Sequence, residues 1–296
     1  MKTQVETNIN IYNCLELARD YLEENKGVRH IEYIPINDKQ KQFLSKESDY
    51  KGDFPRYSKD DLKGKASRIV KEINNYLESE GFSIRLTESG DNPLQFAVAS
   101  ILNIKTEWKE SGEKHKIFGN SVNYKGFELK DSKNQPLWSV KIKDYASPLI
   151  TIETKSGDFA DILQVDPLKP LGTPTEAYDW LVDQEDVSSD DYRSIILPEI
   201  DLVLESDISW LAGLQLKINN NNWYIDQALQ ETFFKLDKLG TSVKSATAMV
   251  FSGSVSSRTY KTWIFNSSFY IWIRKFGCEQ PYFAALITPD NFIEEQ

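Results

Sequence analysis

The sequence predicts one α+β domain in which helices come first and strands follow. Two helical patterns fall within the first 80 residues. From Leu94 onwards short apolar runs alternate with Gly, Asn, Asp and Pro turn signals, which is typical of strands. Because helical and strand patterns are segregated along the chain, an α+β architecture is favoured over alternating βαβ units.

Composition supports a folded domain and narrows the partners. The chain has 296 residues, of which 40% are hydrophobic and 12% aromatic, so a sizeable core is expected. The net charge is −10 and the pI is about 4.9, whereas nucleic acids and anionic membranes select basic surfaces. No stretch approaches the roughly 20 apolar residues of a membrane span. We therefore expect neither a nucleic-acid nor a membrane partner.

Cysteine content and the N-terminus bear on the compartment. Cys14 and Cys278 are the only cysteines, which excludes a disulfide framework and leaves a single bridge open. Two free thiols in a reducing compartment are the favoured interpretation. The first residues carry no apolar run of signal-peptide length. As written, the chain is expected to be cytoplasmic, and it would be secreted if a leader has been removed.

Each element of the first 80 residues follows from its apolar spacing. Residues 8–25 predict an amphipathic helix, and residues 29–36 predict a short strand that ends near Pro35. Residues 37–64 are polar, with little apolar pattern, and predict a loop-rich segment. Residues 65–80 predict a second helix.

The rest of the chain is predicted mainly as strands. LQFAVASILNI, from Leu94, is an almost continuous apolar run and predicts a strand buried on both faces. Thr173-Pro174 supplies an N-cap for a helix over 174–184, and a shorter helix is predicted over 206–213. Further strands are predicted over 117–129, 136–144, 148–154, 159–165, 194–204, 223–237, 269–273 and 282–287.

Signatures of catalysis and of metal binding do not occur in the sequence. His30 and His115 are the only histidines, and neither lies in a metal-binding pattern. The chain has no GxGxxG, no GxxxxGK[ST] and no GxSxG sequence. We therefore expect no metal, no cofactor and no enzymatic activity.

The segment after Leu239 is the most unusual feature of the sequence. Read with the period of a strand, Thr241, Val243, Ser245 and Thr247 fall on one face, which is small and uncharged. Lys244 falls on the opposite face. Such a segment could be a flexible linker, or it could enter a sheet as a strand.

Six segments, in order along residues 70–296, resemble serpins. NNWYIDQALQETFFKLDKLGTSVKSATAM resembles the strand and hinge before the reactive centre loop. FAVASILNIKTEWKE resembles the long central strand, which implies that Trp108 lies at the breach where the loop begins to insert. KEINNYLESEG resembles the helix that crosses the main sheet. The other three segments are SIILPEIDLVLESDISWLAGLQL, IFNSSFYIWIRK and PYFAALITPDNF.

The resemblance implies a single serpin-like domain over 1–296. Its expected parts are a large mixed or antiparallel central sheet, smaller sheets, helices early in the chain and an exposed reactive centre loop over 240–264. Residues before Lys71 are too few for all the early helices, so 37–64 is expected to replace several of them, while HIEYIPI keeps the first buried strand. Ser100 stands where the family usually has Asn.

The activity that the resemblance implies is inhibition of a protease by a suicide substrate. The exposed loop is cleaved and then inserts into the main sheet, with Gly240, Thr241, Val243, Ser245 and Thr247 as its hinge. The implied partner is a target protease, preferably a trypsin-like serine protease and possibly a cysteine protease, and the inhibitor is expected to be a monomer. A non-inhibitory binding protein and a regulatory protease substrate remain alternatives.

The position of the cleaved bond stays open between two counts. Counting forward from the hinge puts it near Ser254-Val255. Counting back from Phe265 puts it at Ser257-Arg258 or Arg258-Thr259. We prefer Arg258-Thr259, since an arginine suits a trypsin-like pocket with a buried Asp.

Overall fold

The structure, a computed structural model, describes most of the chain. The described residues are 1–26, 31–88, 96–119, 122–184, 187–189, 192–218, 221–241, 261–278 and 280–295. The α-helices are α1 (Asn8–Lys26), α2 (Asp38–Ser45), α3 (Glu47–Asp53), α4 (Val70–Ser79) and α5 (Pro174–Val182). Short 3-10 helices occur at Phe54–Arg56, Ser209–Leu211 and Pro289–Asn291.

Strands make up most of the rest. In the first half they are β1 (Gln4–Glu6), β2 (Ile31–Ile34), β3 (Leu62–Ser67), β4 (Ala97–Leu102), β5 (Thr106–Glu107), β6 (Glu113–Phe118), β7 (Asn123–Lys130), β8 (Leu137–Ile142), β9 (Pro148–Glu153) and β10 (Phe159–Gln164). In the second half they are β11 (Val187–Ser189), β12 (Tyr192–Pro198), β13 (Ile200–Ser206), β14 (Gln215–Ile218), β15 (Asn221–Tyr224), β16 (Gln230–Leu236), β17 (Gly240–Thr241), β18 (Lys261–Ile264), β19 (Phe269–Arg274) and β20 (Phe283–Ile287).

The largest sheet has seven strands in the order β1-β20-β19-β10-β9-β8-β11, all antiparallel. One face packs into the main core through residues such as Ile150, Ile162 and Ile271. Part of the other face packs against α5, where Tyr178 lies beside Trp272. Consecutive residues of these strands therefore point alternately into the two apolar cores, because successive side chains of a strand lie on opposite faces.

Two smaller sheets flank the large one in the described part of the chain. A four-stranded sheet has the order β18-β12-β7-β6, with β18 parallel to β12. A three-stranded sheet has the order β15-β14-β2. The segment HIEYIPI, expected to keep the first buried strand, forms β2, in which Tyr33 is the one buried residue.

Two strand pairs complete the architecture, and they form the walls of the site described below. β3 pairs with β4, and β13 pairs with β16, both antiparallel. Helix α1 packs on one face of the β3–β4 pair and α4 packs on the other. On the α4 side, Val70, Ile73 and Leu77 meet Ala97 and Ala99. The helix that the resemblance placed across the main sheet therefore packs on the two-stranded β3–β4 pair and not on the seven-stranded sheet.

The structure corrects several predicted boundaries. Residues 37–64, predicted as loop-rich, contain α2 and α3. Residues 62–67, predicted partly as helix, form β3, and α4 begins only at Val70. The predicted helix over 206–213 is a single 3-10 turn at Ser209–Leu211. Gly213, at φ 80°, follows it in a conformation that L side chains rarely adopt.

Two predicted strands each divide into two. The run over 194–204 changes sheets after Pro198, where β12 leaves the four-stranded sheet and β13 begins a pair with β16. The run over 223–237 divides into β15 and β16, which also lie in different sheets. The alternation of apolar and polar residues continues where the chain passes from one sheet to another, because each of the two strands buries one of its faces.

Candidate functional site

An open gap separates the two strand pairs. Among the described residues, no strand pairs with the second edge of β4 or of β16. A cavity of about 560 Å³ lies there, lined by the consecutive residues 97–101 of β4 and by 223–231 next to and within β16. Because neighbouring residues of a strand point to opposite faces, the cavity passes through the plane of the two pairs.

The predicted hinge lies at one end of this gap. Strand β16 ends at Leu236, and Asp237 and Gly240 exchange two backbone hydrogen bonds of 3.0 and 3.1 Å in a tight turn. The chain then reverses as β17, in which Gly240 pairs with Glu107 and Thr241 with Thr106. Strand β17 therefore contacts β5 by strand pairing and β16 through the turn.

Gly240 is required by the close approach of this turn to β5. Its φ is 143°, outside the range that L side chains readily adopt. A Cβ atom added there would lie 2.2 Å from the carbonyl oxygen of Thr106 and 2.6 Å from the Cα of Glu107. A side chain at this position would push the hinge away from β5.

Trp108 is hydrogen-bonded to the turn that precedes β17. The residue is 1% exposed. Its indole Nε1 donates to the backbone oxygen of Asp237 at 3.0 Å, and its backbone N–H donates to that of Leu239 at 3.0 Å. Gly112 donates to the backbone oxygen of Lys238 at 2.7 Å. Trp108 therefore lies beside the hinge, and its role in the breach stays a prediction.

A polar contact joins β4 to α1 on one side of the gap. The Oγ of Ser100 accepts from Nδ2 of Asn13 at 2.7 Å and donates to Oδ1 of Asn10 at 3.1 Å. Ser100 was singled out from the sequence, but its two partners were not. Their spacing of three residues, which puts both on one face of a helix, was a usable signal.

On the other side of the gap, residues 82–88 are tied to the chain at β16. The Glu231 carboxylate accepts from the backbone N–H of Ser83 at 2.6 Å, from its hydroxyl at 2.8 Å and from the N–H of Ile84 at 3.3 Å. Burial opposes ionisation, but these hydrogen bonds outweigh it and lower the pKa of Glu231. Gln227 and Thr87 also exchange two hydrogen bonds, of 2.9 and 2.7 Å. These contacts of Glu231 and Gln227 were not predicted from the sequence.

The remaining predicted site residues lie outside the described residues. They are Val243, Ser245, Thr247, Ser254, Val255, Ser257, Arg258 and Thr259, all within 242–260. The described chain resumes at β18, which pairs with β12 in the four-stranded sheet. The segment 242–260 therefore connects the gap to a different sheet.

Other site types find no support in the part of the chain that the structure describes. Cys14 and Cys278 are both free. No group of three or more His, Cys, Asp or Glu side chains among the described residues could hold a metal ion. No helix within the described ranges is both long and apolar enough to cross a membrane.

Comparison with known proteins gives a fold and no sequence relative. No protein-family model matches the chain, and no curated protein matches it. Among solved structures, Serpin48 from the insect Tenebrio molitor is 11% identical, with a TM-score of 0.62 over 97% of this chain and 92% of Serpin48. The thermophilic serpin tengpin in its native state is 16% identical, with a TM-score of 0.50 over 74% of this chain and 62% of tengpin.

These similarities confirm the predicted fold class. The chain has a serpin-like α+β fold with several antiparallel sheets. The identities of 11% and 16% are too low to carry activity from one protein to another.

Proposed function

We propose that this protein inhibits a protease as a suicide substrate, with 240–264 as its reactive centre loop. The observation that carries the proposal is the position of β17, whose two residues already pair with β5 at the end of a strand-wide gap. Insertion of a cleaved loop is a known way to release stored conformational energy. The hinge has only to continue along the edge on which it starts.

The register of β17 indicates which loop residues would face the core. Opposite residues of an antiparallel pair share a face. Continued from Thr241 opposite Thr106, the register sets Thr247 opposite Ser100. Ser100 points toward α1, so the face that carries Thr241 and Thr247 would turn into the core. This is the small, uncharged face predicted from the sequence.

Lys244 would fall on the opposite side of the inserted strand. In the same register it lies opposite Asn103, an exposed residue immediately after the end of β4. Burying an unpaired charge costs several kcal/mol, so a charge is acceptable only where it reaches solvent. We therefore assign Lys244 to the outer rim of the inserted strand.

The chemistry of the proposed trap is an interrupted peptide hydrolysis. The serine oxygen of a trypsin-like protease attacks the carbonyl carbon of Arg258, and Thr259 leaves with a proton as a free amine. The acyl ester then joins the protease to the new end of the loop. About 15 inserted residues at roughly 3.3 Å each would carry the protease about 50 Å and distort its active site before the ester is hydrolysed.

The test is the formation of a covalent adduct that survives SDS. We expect the full chain to form one with trypsin within a panel of trypsin-, chymotrypsin- and subtilisin-like proteases and a cysteine protease. The released C-terminal peptide, identified by mass spectrometry, should begin at Thr259. Arg258→Ala should abolish the adduct. Cleavage by every protease in the panel without any adduct would refute the proposal.

A matched pair of hinge variants separates insertion from simple cleavage. Thr241→Arg brings a charge to the inward face, and we expect cleavage without adduct. Lys244→Arg keeps a charge on the outward face and should leave the adduct yield unchanged. Equal adduct yields from the two variants would contradict the assigned register.

A non-inhibitory binding protein is the second candidate. The observation that favours it is the set of hydrogen bonds that the Glu231 carboxylate accepts from residues 83 and 84 and that Gln227 exchanges with Thr87. They tie one wall of the gap to the segment that covers it. A wall held in this way would resist the separation that a new strand requires. This candidate predicts cleavage without adduct for the wild type as well.

A further inference from the structure

The gap has the dimensions and lining of a small-molecule site. Its volume of about 560 Å³ lies within the range of ligand pockets, roughly 300–1,000 Å³. Helix α1 supplies Ile11 and Leu15, α4 supplies Val70 and Leu77, and the far end carries Trp223. Apolar side chains therefore line it from both sides and along its length.

The charges of the lining select a neutral ligand. Among the described residues that line the cavity there is no Lys, Arg or His, whereas Asp226 and Glu231 are present. A carboxylate or phosphate ligand would have no cation to pair with and would meet two like charges. The Glu231 carboxylate is already held by Ser83 and Ile84, so it does not call for a cationic ligand.

One hydrogen-bond donor at the cavity wall has no partner among the described residues. Asn10 lines the cavity, and its Oδ1 accepts the Ser100 hydroxyl at 3.1 Å. Its Nδ2 donates to no group among the described residues. In the amide orientation in which Oδ1 accepts from Ser100, this nitrogen can donate to an acceptor oxygen of a ligand. A ligand with an apolar body and one such oxygen would complete the site.

We propose that the gap binds a neutral amphiphile with one straight alkyl chain and a hydroxyl or carbonyl oxygen, held by Nδ2 of Asn10. This inference rests on the proposed function in one respect, namely that the bound molecule delays entry of the cleaved loop. The delay is partial, because a peptide strand also pairs with the backbone edges of β4 and β16, which an alkyl chain cannot do. A bound amphiphile thus acts as a regulator of trapping.

Binding is tested on the intact chain with 1-decanol as the ligand. The neutral dye N-phenyl-1-naphthylamine reports the apolar cavity by its fluorescence, and 1-decanol should displace it in a saturable way. Decanoate has the same chain length and a charge, so it should displace the dye at least tenfold less well. Equal displacement by the two ligands, or none by 1-decanol, would overturn the inference.

Two variants locate the site. Asn10→Asp keeps the acceptor of Ser100 and removes the donor, so it should weaken 2-decanone, whose ketone oxygen can only accept, about tenfold, the loss of one hydrogen bond. Ala18→Phe fills the cavity from α1, where Ala18 is 6% exposed, and should abolish dye binding. Ala146→Phe adds the same ring at an exposed position outside the lining and should change nothing. Unaltered 1-decanol binding to Ala18→Phe would exclude the gap as the site.

Nicked protein separates this inference from the proposed function. If 1-decanol binds the intact chain and cleavage of 242–260 abolishes binding, both proposals are supported. If binding survives cleavage, the ligand site is supported and loop insertion is refuted. If 1-decanol never binds while the SDS-stable adduct forms, the ligand site is refuted and inhibition is supported. In the first case, saturating 1-decanol should also shift products from adduct toward cleaved protein at least twofold.

Discussion

A single cut between residues 242 and 260 should raise the melting temperature, because the freed loop then fills the gap. Removing a cavity gains about 24 cal/mol per Å³ in proteins where this has been measured. Applied to about 560 Å³, that coefficient gives about 13 kcal/mol. Because the gap is open to water, the lower limit of the expected stabilisation is about half of that value, roughly 6 kcal/mol.

These free energies convert to a temperature shift through the entropy of unfolding. Globular proteins gain about 2.1 cal/mol/K per residue, hence about 0.6 kcal/mol/K for a chain of 296 residues. The expected rise is therefore about 10–20 °C. The assay is differential scanning calorimetry of intact and nicked protein. The nicked protein is prepared with a protease of the panel that cleaves 242–260 without forming an adduct and leaves both fragments associated. A nicked protein that melts within about 2 °C of the intact chain would refute the reasoning.

A glycine variant provides the control for this experiment. Gly240→Ala sets a Cβ 2.2 Å from the Thr106 oxygen at a φ of 143°, which costs about 1–3 kcal/mol and displaces the hinge from β5. Its nicked form should show a clearly smaller rise. Gly157→Ala has a φ of 82° and open space around its Cβ, so it tests general strain alone. The rise on nicking should be the same for Gly157→Ala as for the wild type.

Three further predictions concern stability. Trp108→Phe removes the bond to Asp237 and part of a buried ring, so the free energy of unfolding measured in urea should fall by about 1–3 kcal/mol. Because its folded-state pKa is lowered, Glu231 stabilises the fold above the unfolded carboxyl pKa, about 4.3, and this contribution is lost as the pH falls through the lowered value. Glu231→Gln should therefore be less stable than the wild type at pH 7, and the difference in melting temperature should narrow in acid. Asp161→Ala leaves Arg274 without its 2.7 Å partner, and urea unfolding should show a loss of about 3 kcal/mol.

The sequence predicts elements best where one local signal decides them. Helix α5 begins where Thr173 and Glu176 form a capping box around Pro174. The closing strands β19 and β20 consist almost wholly of buried residues, and their apolar runs were visible without any knowledge of their partners. Gly240 was singled out only through the family resemblance, and the tight turn that it forms with Asp237 was not predicted.

The rest depended on which segments meet, and no local pattern contains that. Residues 37–64 were predicted as loop because they are polar, yet α2 buries Phe43 against Tyr12 of α1, a ring contact of 4.1 Å. The contact of Ser100 with Asn10 and Asn13 required β4 to lie on α1. The gap itself follows only from two strand pairs that stop short of each other, which is a property of topology.

Two anchors explain why a loop that could fill the gap would stay outside it until it is cut. At its start the loop is held by β17 against β5, and at its end by β18 against β12 in another sheet. Nineteen residues separate Thr241 from Lys261, so each residue that enters the gap shortens the span left to reach β18. Full entry of the uncut loop would require β18 to leave β12, with the loss of four paired residues on each strand. Cleavage removes that cost at once, because the far fragment keeps β18 while the near fragment is free to continue the register of β17. On the proposed mechanism, the barrier to insertion would therefore lie in the second anchor, and its driving force in the edges of β4 and β16 with which no described strand pairs. A variant that loosens β18 should then insert its loop without being cut.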